Sequence, residues 1–103
     1  MSTMRNSVML IGYPTQPKMD SGNRTASFNL SVKGEGKDKQ KTYTFFCVGF
    51  DTVAQRIVAN IKEGLQTAID GSLRQFEYKD HNGYHIQTEI VVHDMFIIDK
   101  RKD

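Results

Sequence analysis

Several residue types are scarce in this chain, and each scarcity excludes a class of protein. The only cysteine is Cys47, so neither an intramolecular disulfide framework nor a cysteine-rich zinc cage can form, and a reducing compartment is expected. No apolar run approaches the roughly 20 residues that a membrane-spanning helix needs, and the first residues lack the apolar stretch of a secretory signal. Tryptophan is absent altogether. A soluble, cytoplasmic protein is expected.

Size and charge describe one small domain of neutral character. The 103 residues are 38% hydrophobic, which suffices for a single core, expected over about residues 6–99. Three of the 14 basic and one of the 12 acidic residues lie in the short basic end, residues 100–103, which leaves eleven of each sign before it. Net charge alone therefore does not predict a nucleic-acid partner.

The first half of the chain has the hydrophobic pattern of strands. Residues 7–12 form a compact apolar run that predicts a buried strand. Residues 25–33 alternate apolar and polar side chains, which is typical of a half-buried strand, and residues 42–50 are rich in strand-favouring aromatics. Between these two strands, residues 33–41 carry no apolar side chain and predict a solvated, mobile connection.

One segment has helical periodicity. Val53, Ile57 and Ile61 recur at intervals of four residues. Thr52 and Gln55 fit a capping box, and Gly64 follows as a stop signal, so a helix is predicted over residues 52–63.

The last part of the chain predicts a long hairpin. Residues 65–79 and 84–98 have strand character and are joined across residues 79–83, where Asn82-Gly83 is a strong hairpin signal. Five strands with one helix between the third and fourth match an all-β fold, the five-stranded Greek-key barrel called the OB-fold. Another small barrel, or an open α+β sheet, would explain the same order of elements.

Five short segments carry a more specific resemblance. They are residues 6–12 (NSVMLIG), 50–54 (FDTVA), 62–64 (KEG), 70–74 (DGSLR) and 88–92 (TEIVV). In this order they resemble the bacterial and phage single-stranded DNA-binding protein family, over about residues 6–98. The resemblance implies an OB-fold that binds single-stranded DNA without sequence preference, as a homotetramer or a dimer, in DNA replication, recombination or repair. From the resemblance we expect no metal, no cofactor and no enzymatic activity.

The resemblance and the strand pattern together nominate ten DNA-binding residues. The aromatic candidates, which would stack on bases, are Phe46, Phe50, Phe76 and Tyr78. The cationic candidates, which would contact phosphates, are Lys33, Lys37, Lys39, Lys41, Lys62 and Arg74. If Phe50 faces the DNA, alternation places Phe46 on the same face and turns Phe45 and Cys47 inward. Core packing of Phe46, and a simply solvated lysine run, remain the structural alternatives.

The sequence also departs from the family pattern. Gly36 and Thr44 stand where the family has aromatics, and Glu63 and Glu77 stand where it often has a base. Relatives commonly continue through a linker to an acidic tail, whereas this sequence stops at Asp103, as expected of a short variant or of the core alone. A protein-interaction or primosome-type module on the same fold, with weak or no DNA binding, is therefore the alternative function.

Three histidines raise the question of a catalytic or metal site. His81 and His85 flank the predicted hairpin turn, and His93 lies on the last strand on the same face as Glu89. Strand alternation and the turn account for them as surface residues.

Tyr84 is expected to lie near Tyr78 in one exposed aromatic cluster.

Overall fold

The computed structural model describes residues 4–98, which form six strands and one α-helix. The elements are β1 Val8–Pro14, β2 Lys18–Met19, β3 Thr25–Lys33, β4 Thr42–Phe50, α1 Thr52–Asn60, β5 Thr67–Asp80 and β6 Gly83–Ile97. β3 and β4 have the predicted bounds, and the predicted hairpin joins β5 to β6. β2, only two residues long, was not predicted. The basic end at residues 100–103 and residue 99 lie outside the described part of the chain.

The strands close into a barrel. Their order is β1-β5-β6-β4-β3-β2, and a further pairing of β1 with β3 closes the ring. The barrel closes at Gly12. Gly12 itself pairs with Thr67 of β5, and the next residue, Tyr13, pairs with Ser31 of β3. A Cβ at Gly12 would collide with the Ser31 carbonyl, so only glycine allows this approach. The OB-fold prediction is confirmed.

A register shift bends the long hairpin where it leaves the barrel. Asp70 pairs with Asp94, but the next residue, Gly71, pairs with Val92, so that His93 is the extra residue on β6. A Cβ at Gly71 would collide with the Val91 carbonyl. The shift is a β-bulge, which increases local twist and re-aims the strands that follow.

The core lies inside the barrel and is closed at one end by α1. The inward face of β3 supplies Ala26, Phe28 and Leu30, as its alternation predicts, and α1 supplies Ala54 and Ile57. The other buried members of this cluster are Cys47, Ile61, Ile69, Ile90, Val92 and Met95. These side chains come from strands far apart in sequence, so the core holds the barrel closed.

The helix is shorter than predicted and begins differently. It ends at Asn60, because Ile61 is already extended while its side chain stays fully buried in the core. The N-cap is Asp51, with φ of 54° and no side-chain capping bond, so the capping box expected from Thr52 and Gln55 is wrong. Within residues 4–98, no helix is long and apolar enough to span a membrane.

The structure corrects one further expectation and adds detail to another. The apolar run of β1 is buried on one face only, since Met9 and Ile11 are 67% and 48% exposed on the outside of the barrel. The connection at residues 33–41 is solvated but hydrogen-bonded: it contains a 3₁₀ turn, Gly36–Asp38, and the backbone N–H of Gly34 donates to the Lys41 carbonyl at 2.9 Å. The solvated connection therefore contains a hydrogen-bonded turn.

The β5–β6 hairpin extends beyond the barrel as an exposed ribbon, here called the arm, residues 73–88. Every residue of β5 from Leu73 onward is exposed. The radius of gyration is 15.2 Å, whereas a compact chain of this length is expected near 13 Å. The arm accounts for the excess and presents both of its faces to solvent.

Candidate nucleic-acid interface

Strand alternation on β4 determines which aromatic rings face outward. Cys47 is fully buried and Phe45 packs against the core, whereas Phe46 between them is 38% exposed. The predicted orientation of β4 is therefore confirmed, and core packing of Phe46 is not observed. Val48 shares the outward face with Phe46, but it pairs with Ser27 on one side and Val91 on the other and is 4% exposed.

Phe50, at the end of β4, is covered by a guanidinium group. The Arg74 Cζ lies 5.0 Å from the centre of the Phe50 ring, a cation–π distance. The same guanidinium hydrogen-bonds the carboxylate of Glu89, its cross-strand partner on β6. The Glu89 side chain is only 5% exposed, so the expectation that it is a surface residue is wrong. Its partner Arg74, half exposed, supplies the opposite charge that a buried carboxylate requires.

The arm carries the next two aromatic candidates. Phe76 and Tyr78 follow Arg74 at intervals of two along β5, so all three project from the same face. The two rings are 40% and 43% exposed, and their centres are 6.4 Å apart at an angle of 39°. Phe46, Phe50, Phe76 and Tyr78, with Arg74, form what we call the aromatic face.

Two residues expected near this face lie on the opposite face of the arm. Tyr84 pairs with Lys79 across the hairpin, and the Lys79 ammonium lies 5.5 Å from the centre of the Tyr84 ring. Tyr84 therefore does not join a cluster with Tyr78, contrary to prediction. Glu77 pairs with Ile86 on that same opposite face, so its negative charge points away from the aromatic rings.

Four of the five lysine candidates lie at the end of β3 or in the connection that leads to β4. Lys33 ends β3 and pairs with Thr42, four residues before Phe46 on the same face of β4. Lys37 lies in the 3₁₀ turn, Lys39 follows it, and the Lys41 ammonium lies 3.6 Å from the Asp38 carboxylate. Lys62 is exposed in the turn between α1 and β5, on a different element from the four aromatics.

The second carboxylate oxygen of Asp38 also contacts a residue at the lysine turn's far end, Tyr43 at the start of β4. The Tyr43 hydroxyl donates a hydrogen bond to the second Asp38 oxygen at 2.9 Å, and this bond raises the pKa of Tyr43. One carboxylate thus joins Lys41 and Tyr43 across the base of the turn. The turn presents Lys37 and Lys39 in a defined conformation.

The histidines do not converge on one site. His85 lies on the arm, whereas His93 lies at the bulge, where its ring contacts the Ser72 hydroxyl at 3.0 Å. Within residues 4–98, no group of three or more His, Cys, Asp or Glu side chains is arranged to hold a metal ion. The arrangement offers rings and cations for contact with a ligand.

Sequence reasoning missed one part of this face, the position of His85. His85 pairs directly with Tyr78 across the hairpin, and the two rings stack with centres 5.0 Å apart at an angle of 22°. Asn82-Gly83 read as a two-residue turn would pair His81 with Tyr84, but the turn residues are His81 and Asn82, and Gly83 already pairs with Asp80. Counting outward from the closing pair of Asp80 and Gly83 brings Tyr78 opposite His85.

Comparison with known proteins identifies the family. The family model described as "Single-strand binding protein family" matches residues 5–98. The chain is similar in structure to the Plasmodium falciparum SSB in a complex with ssDNA, with a TM-score of 0.78 and 23% identity over 96% of this chain and 99% of that one. It is also similar to the mitochondrial single-stranded DNA binding protein Rim1 of S. cerevisiae, with a TM-score of 0.75 and 8% identity over 94% and 98%. These likenesses support the fold, and the family match over residues 5–98 shows that the chain belongs to the single-strand binding protein family.

Proposed function

We propose that this protein binds single-stranded DNA without sequence preference, during DNA replication, recombination or repair, by stacking bases on the aromatic face. The observation that carries the proposal is the projection of Phe46, Phe76 and Tyr78 from one side of the sheet, each about two-fifths exposed. Exposed aromatic rings on an OB-fold stack with any base, since every base has a π-face. Single strands are favoured because a duplex buries those faces in its own stack.

The cations divide into two groups in this proposal. Arg74 already pairs with Glu89, so it orients the strand over Phe50 and adds little net charge. Lys33, Lys37 and Lys39 lie at one end of the face and contact the phosphates. Lys41, paired with Asp38, contributes less. Lys62, on its separate turn, extends the phosphate path only if the strand passes around the barrel toward α1.

Binding to a fluorescent oligo-dT and to a matched duplex, at low and at physiological salt, tests the proposal. We expect preference for the single strand and an affinity that falls as salt rises, because phosphate contacts release counterions. Tyr78→Ala should weaken oligo-dT binding, and Tyr84→Ala, on the opposite face of the arm, is the matched control. Equal affinity for duplex and single strand, or no binding at low salt, would contradict the proposal.

Self-association is part of the proposal, with a tetramer favoured over a dimer. Its support is the uncovered apolar outer face of β1, where Met9 and Ile11 are exposed, together with exposed Leu73 and Ile86 on the hairpin. An exposed apolar surface such as the outer face of β1 is typical of interfaces. Light scattering measures the number of subunits directly. A cytoplasmic location, of a bacterium or a phage-infected cell, accords with the unpaired thiol of Cys47.

A protein-interaction module is the second candidate function. It draws on the Arg74–Glu89 pair, which removes net charge from the place where a DNA-binding face needs it. The oligo-dT measurement separates the two functions. If the protein is folded and monodisperse but does not bind oligo-dT at low salt, the result would favour the protein-interaction function.

A further inference from the structure

We propose that His85 is a base-stacking residue, and that it completes with Phe76 and Tyr78 a three-ring platform on the arm; this inference rests on the proposed function. The three side chains project from one face of the hairpin, because Tyr78 and His85 are cross-strand partners and Phe76 lies two residues before Tyr78. The Tyr78 and His85 rings are nearly parallel, at 22°, with centres 5.0 Å apart. In this stacked arrangement the His85 ring lies over one face of Tyr78 and turns its own second face away from the phenol.

The imidazole is held in position by the turn. Its Nε2 lies 3.0 Å from Asp80 Oδ1, and the same oxygen accepts a hydrogen bond of 2.8 Å from the backbone N–H of Asn82. Asp80 thus ties the His85 ring to the backbone at the tip of the arm. A ring fixed in this way loses little conformational freedom when a base stacks on it.

His85 also changes what a base meets at Tyr78. Because the imidazole covers one side of the Tyr78 ring, a base that approaches from that side stacks on His85 and not on the phenol. The His85 side chain is 38% exposed, so part of the imidazole is open to a ligand. A row of rings, rather than one isolated tyrosine, then contacts successive bases along the strand.

The three histidines of the chain allow a direct test with oligo-dT. NMR signals of the histidine ring protons are followed during titration of the intact protein, with His93, bonded to Ser72 at the bulge, as the internal control. We expect the ring protons of His85 to move upfield, as protons do over the face of a stacked base, and those of His93 to stay in place. Unmoved His85 signals in a protein that binds oligo-dT would overturn the proposal.

Affinity measurements on three variants complete the test. His85→Ala should weaken oligo-dT binding about fivefold or more, the lower end of the loss at a stacking ring. His85→Phe, which keeps a ring but not the bond to Asp80, should restore most of it, and His93→Ala should leave it unchanged. Wild-type affinity in His85→Ala, or a His85→Phe variant as weak as His85→Ala, would overturn the stacking role. Failure of the wild-type protein to bind oligo-dT would instead refute the proposed function itself.

Discussion

The adjacent residues Phe45 and Phe46 offer a sharp test of the aromatic face, because their substitutions should have opposite effects. Phe46→Ala removes a ring that is 38% exposed on the outside of the barrel. Phe45→Ala removes a ring that packs against the core cluster from the inside. The two variants delete the same atoms one residue apart, so any difference between them reports which way each side chain points.

The expected magnitudes follow from these environments. A stacking ring is worth about 1–3 kcal/mol per base, so Phe46→Ala should weaken oligo-dT binding about 5- to 150-fold. Its cost in folding stability should be about 1 kcal/mol or less, as for a surface residue. Phe45→Ala should cost about 2–3 kcal/mol of stability, below the 3–5 kcal/mol of a fully buried phenylalanine, and lower the melting temperature by roughly 10–20 °C.

Anisotropy titration with labelled oligo-dT and thermal melting followed by circular dichroism measure the two effects. Binding should be measured at a temperature where the Phe45→Ala variant is fully folded, and there its affinity should stay within about twofold of wild type. The reasoning is refuted if the effects are exchanged, or if Phe46→Ala binds oligo-dT as well as wild type. The first outcome would reverse the orientation of β4, and the second would remove Phe46 from the interface.

Two further predictions concern the core and the lysine turn. Burial raises the pKa of the Cys47 thiol to about 12, so a disulfide reagent such as DTNB should react with it only after unfolding; rapid stoichiometric reaction of the native protein would contradict this. The double substitution Lys37→Gln and Lys39→Gln should reduce the slope of log affinity against log salt by up to about 1.4, as two phosphate contacts with a single strand are lost. An unchanged slope in oligo-dT titrations would mean that these lysines are simply solvated.

The features predicted correctly from the sequence are those set by local pattern. β3 alternates apolar and polar residues, β4 is rich in aromatics, and polar, glycine-containing segments bound them. Their limits at residues 25–33 and 42–50 could therefore be predicted without knowledge of the fold. The existence of the hairpin follows from Asn82-Gly83, but its register does not, because the turn residues are His81 and Asn82 and Gly83 already pairs with Asp80. The outward position of Phe46 follows from the two-residue period of a strand.

The features that were missed depend on partners distant in sequence. The run at residues 7–12 is apolar throughout, so its pattern does not distinguish the buried face from the exposed face that carries Met9 and Ile11. Ile61 continues the helical periodicity, but its place in the core is reached by extended backbone. Glu89 looks like a surface residue because its burial depends on Arg74, fifteen residues earlier on the neighbouring strand.

The Arg74–Glu89 pair bears on how the affinity for DNA is divided along the molecule. A buried carboxylate under a guanidinium leaves the aromatic face close to neutral, so rings supply most of the attraction there, and salt weakens stacking little. Arginine has five N–H donors, and those not directed at Glu89 remain able to meet a phosphate, so Arg74 orients the strand without attracting it from a distance. Electrostatic attraction then comes mainly from the lysines at the far end of the sheet. Because the two regions act through different physics, loss of a ring should lower affinity about equally at all salt concentrations, whereas loss of a turn lysine should matter most at low salt.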